Sequence, residues 1–299
     1  MEFISALPGT VAQGLIWGIM AIGVYITYKI LDIADLTVDG SICTGAAVCA
    51  MLIINGLPFW LAMILATLSG VVAGLLTGML HIAFGIPAIL SGILTQLILW
   101  SVNLKIMGQA NQALSARNYE VMLSQMKLTP ALIVLAVCAV VLVALLYLFF
   151  GTELGASIRA TGINPAMSRA QGIHTDVTKL IGLALSNGIV AFAGALLCQY
   201  QGYSDINMGR GAVVIGLAAV VIGEALISHL PQNFAIRLVG VLLGAVIYYI
   251  VYQIVILIGL DTDLLKMFSA IVVALFLGLP HIKSKIATRR GRKEGKTHA

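Results

Sequence analysis

The segment TELGASIRATGINPAMSRAQGIHTDVTK, residues 152–179, is the longest polar stretch between apolar runs that are each long enough to cross a bilayer. Its charged side chains are costly to place in hydrocarbon, so it must lie at a membrane surface. Pro165 biases Asn164 away from helical geometry and can itself open a new helix at the first position. We therefore expect two short helices that dock a soluble partner, with an ordinary connecting loop as the alternative.

Composition indicates an all-α polytopic membrane protein. Hydrophobic residues make up 60% of the chain, charged residues only 10%, and the mean hydropathy is +1.05. Soluble domains carry about a quarter charged residues. The four cysteines lie in apolar runs without a C-x-x-C pair, so the sequence indicates neither a disulfide framework nor a zinc site.

The apolar runs predict about nine transmembrane helices, with eight and ten as the bounds. They cover residues 10–30, 40–54, 58–84, 86–103, 130–150, 180–200, 212–227, 236–258 and 264–279. The second and seventh runs are short, and we expect the second to be a broken or re-entrant helix. Residues 1–280 thus form a transmembrane region, followed by a basic tail at 281–299.

The polar stretch 105–129 is a candidate surface element between the fourth and fifth spans. Its spacing predicts an amphipathic helix that turns its apolar side to the membrane or a partner. The residues on that side are Leu114, Tyr119, Met122, Leu123 and Met126.

The basic tail sets the expected orientation, because cytoplasmic segments are rich in Lys and Arg. Nine spans then put the N-terminus outside, and residues 152–179 become a cytoplasmic segment. Outside the tail the basic residues divide evenly between the two sides, so the orientation depends on the tail and on the parity of the span count.

Two groups of residues inside the spans are of interest. Gly70, Gly74 and Gly78 recur every four residues and predict a close helix contact. Polar residues within or beside spans are candidates for a solute pathway, with interhelical packing bonds as the alternative. The pathway candidates are Asp39, Ser41, Gln96, Trp100, Asn103, Asn187, Tyr249 and Gln253.

An inverted repeat is a further expectation. ADLTVDGS, residues 34–41, precedes a short helix entering from the inside, and SDINMGRG, residues 204–211, precedes one entering from the outside. Opposite entry directions are typical of inverted repeats. The two short helices would then flank the pathway, with Asn207 and Arg210 near the second.

ELGASIRATGINPAMSRAQGI, residues 153–173, resembles the coupling segment of ABC-type importer permeases that serve branched-chain amino acids, ribose and related solutes. ILDIADLTVDGSICTGAAVCA, residues 30–50, is similar to the segment after the first helix in this branch, closest to the subgroup paired with tryptophan- or tyrosine-type binding proteins. Ser168 stands where the family usually has alanine. The resemblance implies that the ATPase-coupling residues are Gly155, Arg159, Ala160, Gly162, Asn164, Arg169 and Gly172.

The resemblance also implies the partners: a second permease copy, two cytoplasmic ATPase subunits that hold ATP and Mg, and an external solute-binding protein. We favour a homodimer, since C2 pairing is the commonest arrangement. This chain itself would bind no cofactor, because it has no G-x-x-x-x-G-K-[ST] loop. No nucleic-acid partner is expected.

The predicted function is therefore a permease subunit in the cell membrane for a small solute, with an aromatic amino acid favoured. An ion-coupled carrier is the alternative, but such carriers keep ionisable groups deep in the membrane. The deepest candidate, Glu224, lies near a span end, where we expect it to pair locally. An intramembrane enzyme comes third, since neither H-E-x-x-H nor G-x-S-x-G occurs and no catalytic residue is indicated.

Overall fold

The computed structural model describes residues 2–115, 119–228 and 233–257, with the single residues 267, 271, 274 and 278 beyond them. The chain divides into two compact units, Met1–Ile250 and Val251–Ala299. The helices, in chain order, are α1 (Glu2–Tyr25), a π-helical turn (Ile26–Ile30), α2 (Val38–Ile54), α3 (Phe59–Ile82), α4 (Ala88–Met107), α5 (Leu128–Gly151), α6 (Glu153–Ile163), α7 (Pro165–Ala170), α8 (Thr175–Gln201), α9 (Ala212–Ile227) and α10 (Phe234–Leu257). Two short strands, β1 (Asn111–Ala113) and β2 (Tyr203–Asp205), pair antiparallel.

The expected helical membrane fold is confirmed. Six segments of the described chain are long and apolar enough to span a bilayer: Ala6–Ile30, Phe59–Ile82, Ala88–Met107, Leu128–Gly151, Thr175–Gln201 and Phe234–Leu257. Two shorter apolar helices, Val38–Ile54 and Ala212–Ile227, coincide with the two runs that the sequence marks as short. The ninth expected span, 264–279, and the basic tail lie outside the continuously described residues.

Helix α8 is the centre of the bundle and is buried along most of its length. The Oγ of Ser186 donates to the carbonyl of Gly23, whereas Tyr200 near the other end of α8 donates to that of Gly9. Helix α1 is therefore antiparallel to α8. The 27 residues of α8 span about 40 Å and define two ends of the bundle, which we call the α6–α7 end and the β1–β2 end.

The glycine stripe of α3 packs directly on α8. A Cβ added at Gly74 would lie only 2.8 Å from the Cα of Ala184, and one at Gly70 only 3.0 Å from the carbonyl carbon of Asn187. Gly78 similarly contacts Leu180. The small residues thus let two helix backbones approach more closely than any side chain would permit.

Helices α2 and α9 are short, and their N-terminal ends meet inside the bundle. Helix α2 begins beside Asn187, near the middle of α8, and its Cys49 reaches Gln199 near the β1–β2 end. Helix α9 begins at the Asp39 carboxylate and runs the other way, since its Glu224 pairs with Lys29 near the α6–α7 end. The two helices therefore run in opposite directions, as the expectation of an inverted repeat requires; the repeat itself stays a prediction.

The prediction of an amphipathic helix within residues 105–129 is wrong. Residues 105–107 end α4, and the rest of the described stretch before Leu128 forms strand β1 and irregular segments. Its backbone bonds go elsewhere: β1 pairs with β2, Leu114 donates to the carbonyl of Gly202, and Met122 donates to the Gln199 side chain. Tertiary partners thus satisfy the backbone groups that a helix would have satisfied internally.

The two short helices expected at residues 152–179 are confirmed as α6 and α7. The hydroxyl of Thr152 accepts a bond from the Gly155 amide and caps α6. Asn164 ends α6 with extended backbone and caps α7 by accepting from the Met167 amide, while Pro165 is the first residue of α7. Local sequence therefore sets this turn, as helix-capping rules predict.

Candidate solute pathway and coupling surface

Four of the pathway candidates line one cavity of about 220 Å³ in the first unit. It lies between α2, α4 and the segment that leads from β2 to α9. The candidates in it are Asp39, Gln96, Trp100 and Asn103, and the lining also includes Arg210, which lies just before α9. Positions 96, 100 and 103 share one face of α4, as their helical spacing predicts. We call this space the pathway cavity.

Asp39 joins the two short helices at the wall of the pathway cavity. One carboxylate oxygen accepts from the Gly211 amide at 3.0 Å and the other from the Val213 amide, also at 3.0 Å. Gly211 has a φ of +88°, which a residue with a side chain rarely adopts. The carboxylate thereby caps α9 while lying in the first turn of α2, and both helix N-termini favour its negative charge.

Other polar groups around the pathway cavity have no partner within the described chain. Asn103 is 0% exposed, and both its amide nitrogen and its amide oxygen lack a hydrogen bond to any described residue. The guanidinium of Arg210 is exposed and pairs with no described carboxylate, although Asp39 lines the same cavity. Native proteins rarely leave buried amides unbonded, so the Asn103 amide is a candidate partner for water or for a bound solute.

Ser41 and Asn187 belong to a separate buried network. The Ser41 hydroxyl donates to the amide oxygen of Asn187 at 2.6 Å, and the amide nitrogen of Asn187 donates to Asp35 at 2.7 Å. The other oxygen of Asp35 accepts from the Thr37 amide. All four side chains are buried, and the Thr37 hydroxyl bonds that of Thr77 on α3. This is the interhelical packing that was the alternative to a pathway role.

The remaining two pathway candidates lie on α10. Tyr249 is buried and contacts Trp17 of α1, with 6.0 Å between the ring centroids. It does not line the pathway cavity. Gln253 is half-buried and belongs to the second compact unit.

The coupling-segment residues divide into packing residues and exposed residues. Gly162 packs against the carbonyl of Ile30, and Gly155 against the last turn of α5. The Arg159 guanidinium donates to the carbonyl of Phe150 at 2.9 Å, so it caps the C-terminus of α5 where the helix dipole is negative. Thr161 bonds Thr178 of α8 through their hydroxyls, which fixes α6 on the bundle.

The other side of α6 and α7 is open and partly apolar. Ile163 is 86% exposed, and Leu154 and Met167 are also exposed. Arg169 is exposed and makes no side-chain bond to any described residue, whereas Ala160 is half-buried. Gly172 has a φ of +83° and closes the turn after α7. Large exposed apolar residues beside a free cation are typical of a protein-docking surface.

A second polar cavity, of about 380 Å³, lies beside α6 and is lined by three basic residues. These are Lys29, Arg159 and Arg237. Lys29 pairs with Glu224 at 2.9 Å, which confirms the expectation that Glu224 is bound locally near a helix end. The charged residues that line this cavity at the α6–α7 end are therefore all basic.

The sequence analysis missed two residues of functional interest. Asp35 lies in the segment 34–41, which the sequence marks only as the entry to a short helix, yet it is the most deeply buried acidic side chain among the described residues. Arg210 was noted only as lying near the second short helix. Asn187, which bonds Asp35, and the α4 residues that line the cavity with Arg210 are more than a hundred residues away in sequence, so local pattern carries no signal for these contacts.

Comparison with known proteins adds the following. A family model described as "Branched-chain amino acid transport system / permease component" matches residues 7–278. The chain is 38% identical to a tyrosine transport system permease protein of Clostridioides difficile, covering 91% of this chain and 90% of the relative. It is 34% identical to an uncharacterized protein of Rickettsia prowazekii, and the match covers 91% of this chain and 95% of that relative. A fructose import permease protein of Bifidobacterium longum is 27% identical, and the match covers 89% of this chain and 75% of that relative. No solved structure matches.

Proposed function

Since the chain belongs to the permease component family of branched-chain amino acid transport systems, we propose that it is the membrane-spanning subunit of an ATP-driven, binding-protein-dependent importer. Energy would come from two ATPase subunits that hold ATP and Mg, and solute from an external binding protein. A second copy of this chain would complete the pathway, with C2 symmetry.

The observation that carries this proposal is the form of α6 and α7. One side of this helix pair is fixed to the bundle by Gly162, Arg159 and Thr161, while the other side exposes Ile163 and Arg169. A rigid surface with exposed apolar residues and an arginine beside them suits a soluble partner with an acidic group. We propose that this surface docks the ATPase, which makes the α6–α7 end cytoplasmic and the β1–β2 end external.

An aromatic amino acid is the proposed solute. The support is the 38% identical relative, whose name assigns it to tyrosine transport, together with the indole of Trp100 in the pathway cavity. Aromatic faces stack favourably with aromatic solutes. The proposed location is the cell membrane, with the N-terminus outside.

The docking surface can be tested with Arg169→Glu in the reconstituted transporter. Arg169 makes no bond within the described chain, so the reversal of charge should leave the fold intact. We expect solute-stimulated ATPase activity and uptake to fall about tenfold, because one charge-assisted contact becomes a repulsion. Binding of solute to the external protein should not change.

Lys105→Glu is the matched control, since Lys105 is exposed at the opposite end of the bundle. Equal activity of Arg169→Glu and Lys105→Glu would contradict docking at α7. Arg159→Glu is a poorer test, because it would also remove the cap from α5.

An ion-coupled carrier is the second candidate, and Asp35 is the observation that favours it. Buried carboxylates inside membrane bundles are common sites for protons or cations. However, both oxygens of Asp35 already accept hydrogen bonds, from Thr37 and Asn187. Such bonds also explain the residue as a structural link, so the importer is the better-supported function.

A further inference from the structure

We propose that the pathway cavity itself recognises the charged backbone of an α-amino acid, with Arg210 holding the carboxylate and Asp39 attracting the ammonium group. This inference rests on the proposed import function and goes beyond it. It makes the permease selective, whereas an importer with an external binding protein needs only a permissive path.

The first support is the pair of opposite charges. Asp39 and Arg210 line the same cavity but form no ion pair with each other. Each carboxylate oxygen of Asp39 accepts one backbone hydrogen bond and keeps a further lone pair for an ammonium donor. The Arg210 guanidinium is bound to no described side chain and can hold a carboxylate through two parallel bonds. A zwitterion satisfies both charges at once.

The second support is independent of charge. Asn103 is fully buried at the cavity wall, and neither atom of its amide has a partner among the described residues. Gln96, about two helical turns away on the same face, also makes no side-chain bond to the described chain. Two unbonded amides at the wall of one cavity supply both donors and acceptors for a polar solute. A merely permissive path would be expected to expose fewer unsatisfied groups.

The third support is size. The cavity of about 220 Å³ is below the roughly 300–1,000 Å³ of pockets that take drug-sized ligands. Trp100 is partly exposed at its edge and offers an aromatic face to the solute side chain. The site thus fits one small zwitterion with an apolar or aromatic side chain.

Direct binding to the permease–ATPase complex in nanodiscs, without the external binding protein, tests this site. The proteinogenic L-amino acids are screened in two assays. A scintillation proximity assay measures their competition with radiolabelled L-tyrosine, and titration calorimetry measures their direct binding. The amino acid that binds best is then compared with its decarboxylated amine and with its desamino acid. We expect each analogue to bind about tenfold or more weakly than the amino acid, since each loses one charge-assisted contact.

Arg210→Gln should weaken binding of the amino acid about tenfold and leave binding of its amine unchanged, because the amine has no carboxylate to lose. Arg210→Lys should restore part of the affinity. Asn103→Leu should weaken binding of the amino acid and of both analogues to the same extent. Lys105→Gln is the matched control: it removes an exposed charge from the same helix, outside the cavity lining, and should have no effect.

Two results would overturn the inference, and they can be told apart. If the complete transporter imports an amino acid but Arg210→Gln binds the amino acid and the amine as the wild type does, the zwitterion site is wrong and the import function stands. If the complete wild-type transporter imports no amino acid, the proposed solute class fails and the site fails with it.

Discussion

At the scale of single residues, buried polar side chains act as links between helices. Asn187 of α8 bonds both Ser41 of α2 and Asp35 of the connection before it, so one amide fixes the depth at which α2 begins. An unpaired carboxylate at this depth would carry a large desolvation cost. The two hydrogen bonds to Asp35 offset that cost, which explains why an acidic residue is tolerated there.

Asp35→Asn tests this link. The new amide replaces one acceptor by a donor, which must face either the Thr37 amide or the Asn187 side chain, both of which are donors. We expect the free energy of unfolding to fall by about 1–3 kcal/mol, the cost of an unsatisfied buried group. A lower melting temperature in detergent would report it.

Asp32→Asn is the matched control for that substitution. Asp32 is exposed in the same connection and has a φ of +53°, which asparagine also adopts readily. If Asp35→Asn melts at the same temperature as Asp32→Asn, the network does not hold α2 in place.

At the scale of elements, small residues set the spacing of the central helices. Gly70 and Gly74 bring α3 against α8, and Gly45 brings α2 against Ala191 of α8. Lipid offers no hydrophobic drive for helices to associate, so close backbone contact and buried polar bonds supply the stability. The glycine contact is within one chain, and none of these glycines lines the pathway cavity.

Gly74→Leu should therefore reduce stability first. The added side chain would displace α8 at Ala184 and cost about 1–3 kcal/mol, the usual scale for overpacking. Yield and melting temperature in detergent should fall relative to Val72→Leu, which enlarges an exposed side chain on α3. A Gly74→Leu protein that is as stable as the wild type and transports a different solute would place the stripe on the pathway.

The elements were predictable where the cause is local. Run length and polarity identify the six long and the two short apolar helices of the described chain, and the Asn164-Pro165 pair identifies the turn between α6 and α7. The helix prediction at 105–129 is wrong because of a long-range contact. Strand β1 pairs with a strand about ninety residues away, in the register Asn111 to Asp205. Helical spacing alone could not reveal that partner.

The candidate site was predictable only in part, for the same reason. The face shared by Gln96, Trp100 and Asn103 follows from helical spacing. Arg210 and Asp39 lie beside that face because the N-terminal ends of α2 and α9 meet there. Only the three-dimensional fold shows this meeting. The sequence likewise could not distinguish Ser41 and Asn187, which bond each other, from residues that line a cavity.

At the scale of the whole molecule, the bundle has two structurally different ends. Helices α6 and α7 and the basic cavity lie at one end, whereas β1 and β2 lie at the other. Helix α8 connects the two ends. This polarity suits a subunit that receives solute on one side of a membrane and a soluble partner on the other.

Cysteine labelling tests the orientation. Gln125 and Gln171 are both exposed, at the β1–β2 end and the α6–α7 end respectively, and each is replaced by cysteine. Three of the four native cysteines are buried, so the wild-type chain gives the background signal. We expect an impermeant maleimide to label position 125 in intact cells and position 171 only after permeabilisation. Labelling of both positions from one side would show that the span count between them is wrong.

The most direct test of the import function is uptake by the complete transporter in proteoliposomes, with the ATPase inside, the binding protein outside and no ion gradient. We expect accumulation of radiolabelled L-tyrosine that requires hydrolysable ATP and the binding protein and is unaffected by ionophores. Uptake by this chain alone, driven by a proton or sodium gradient and indifferent to ATP, would contradict the importer and identify an ion-coupled carrier.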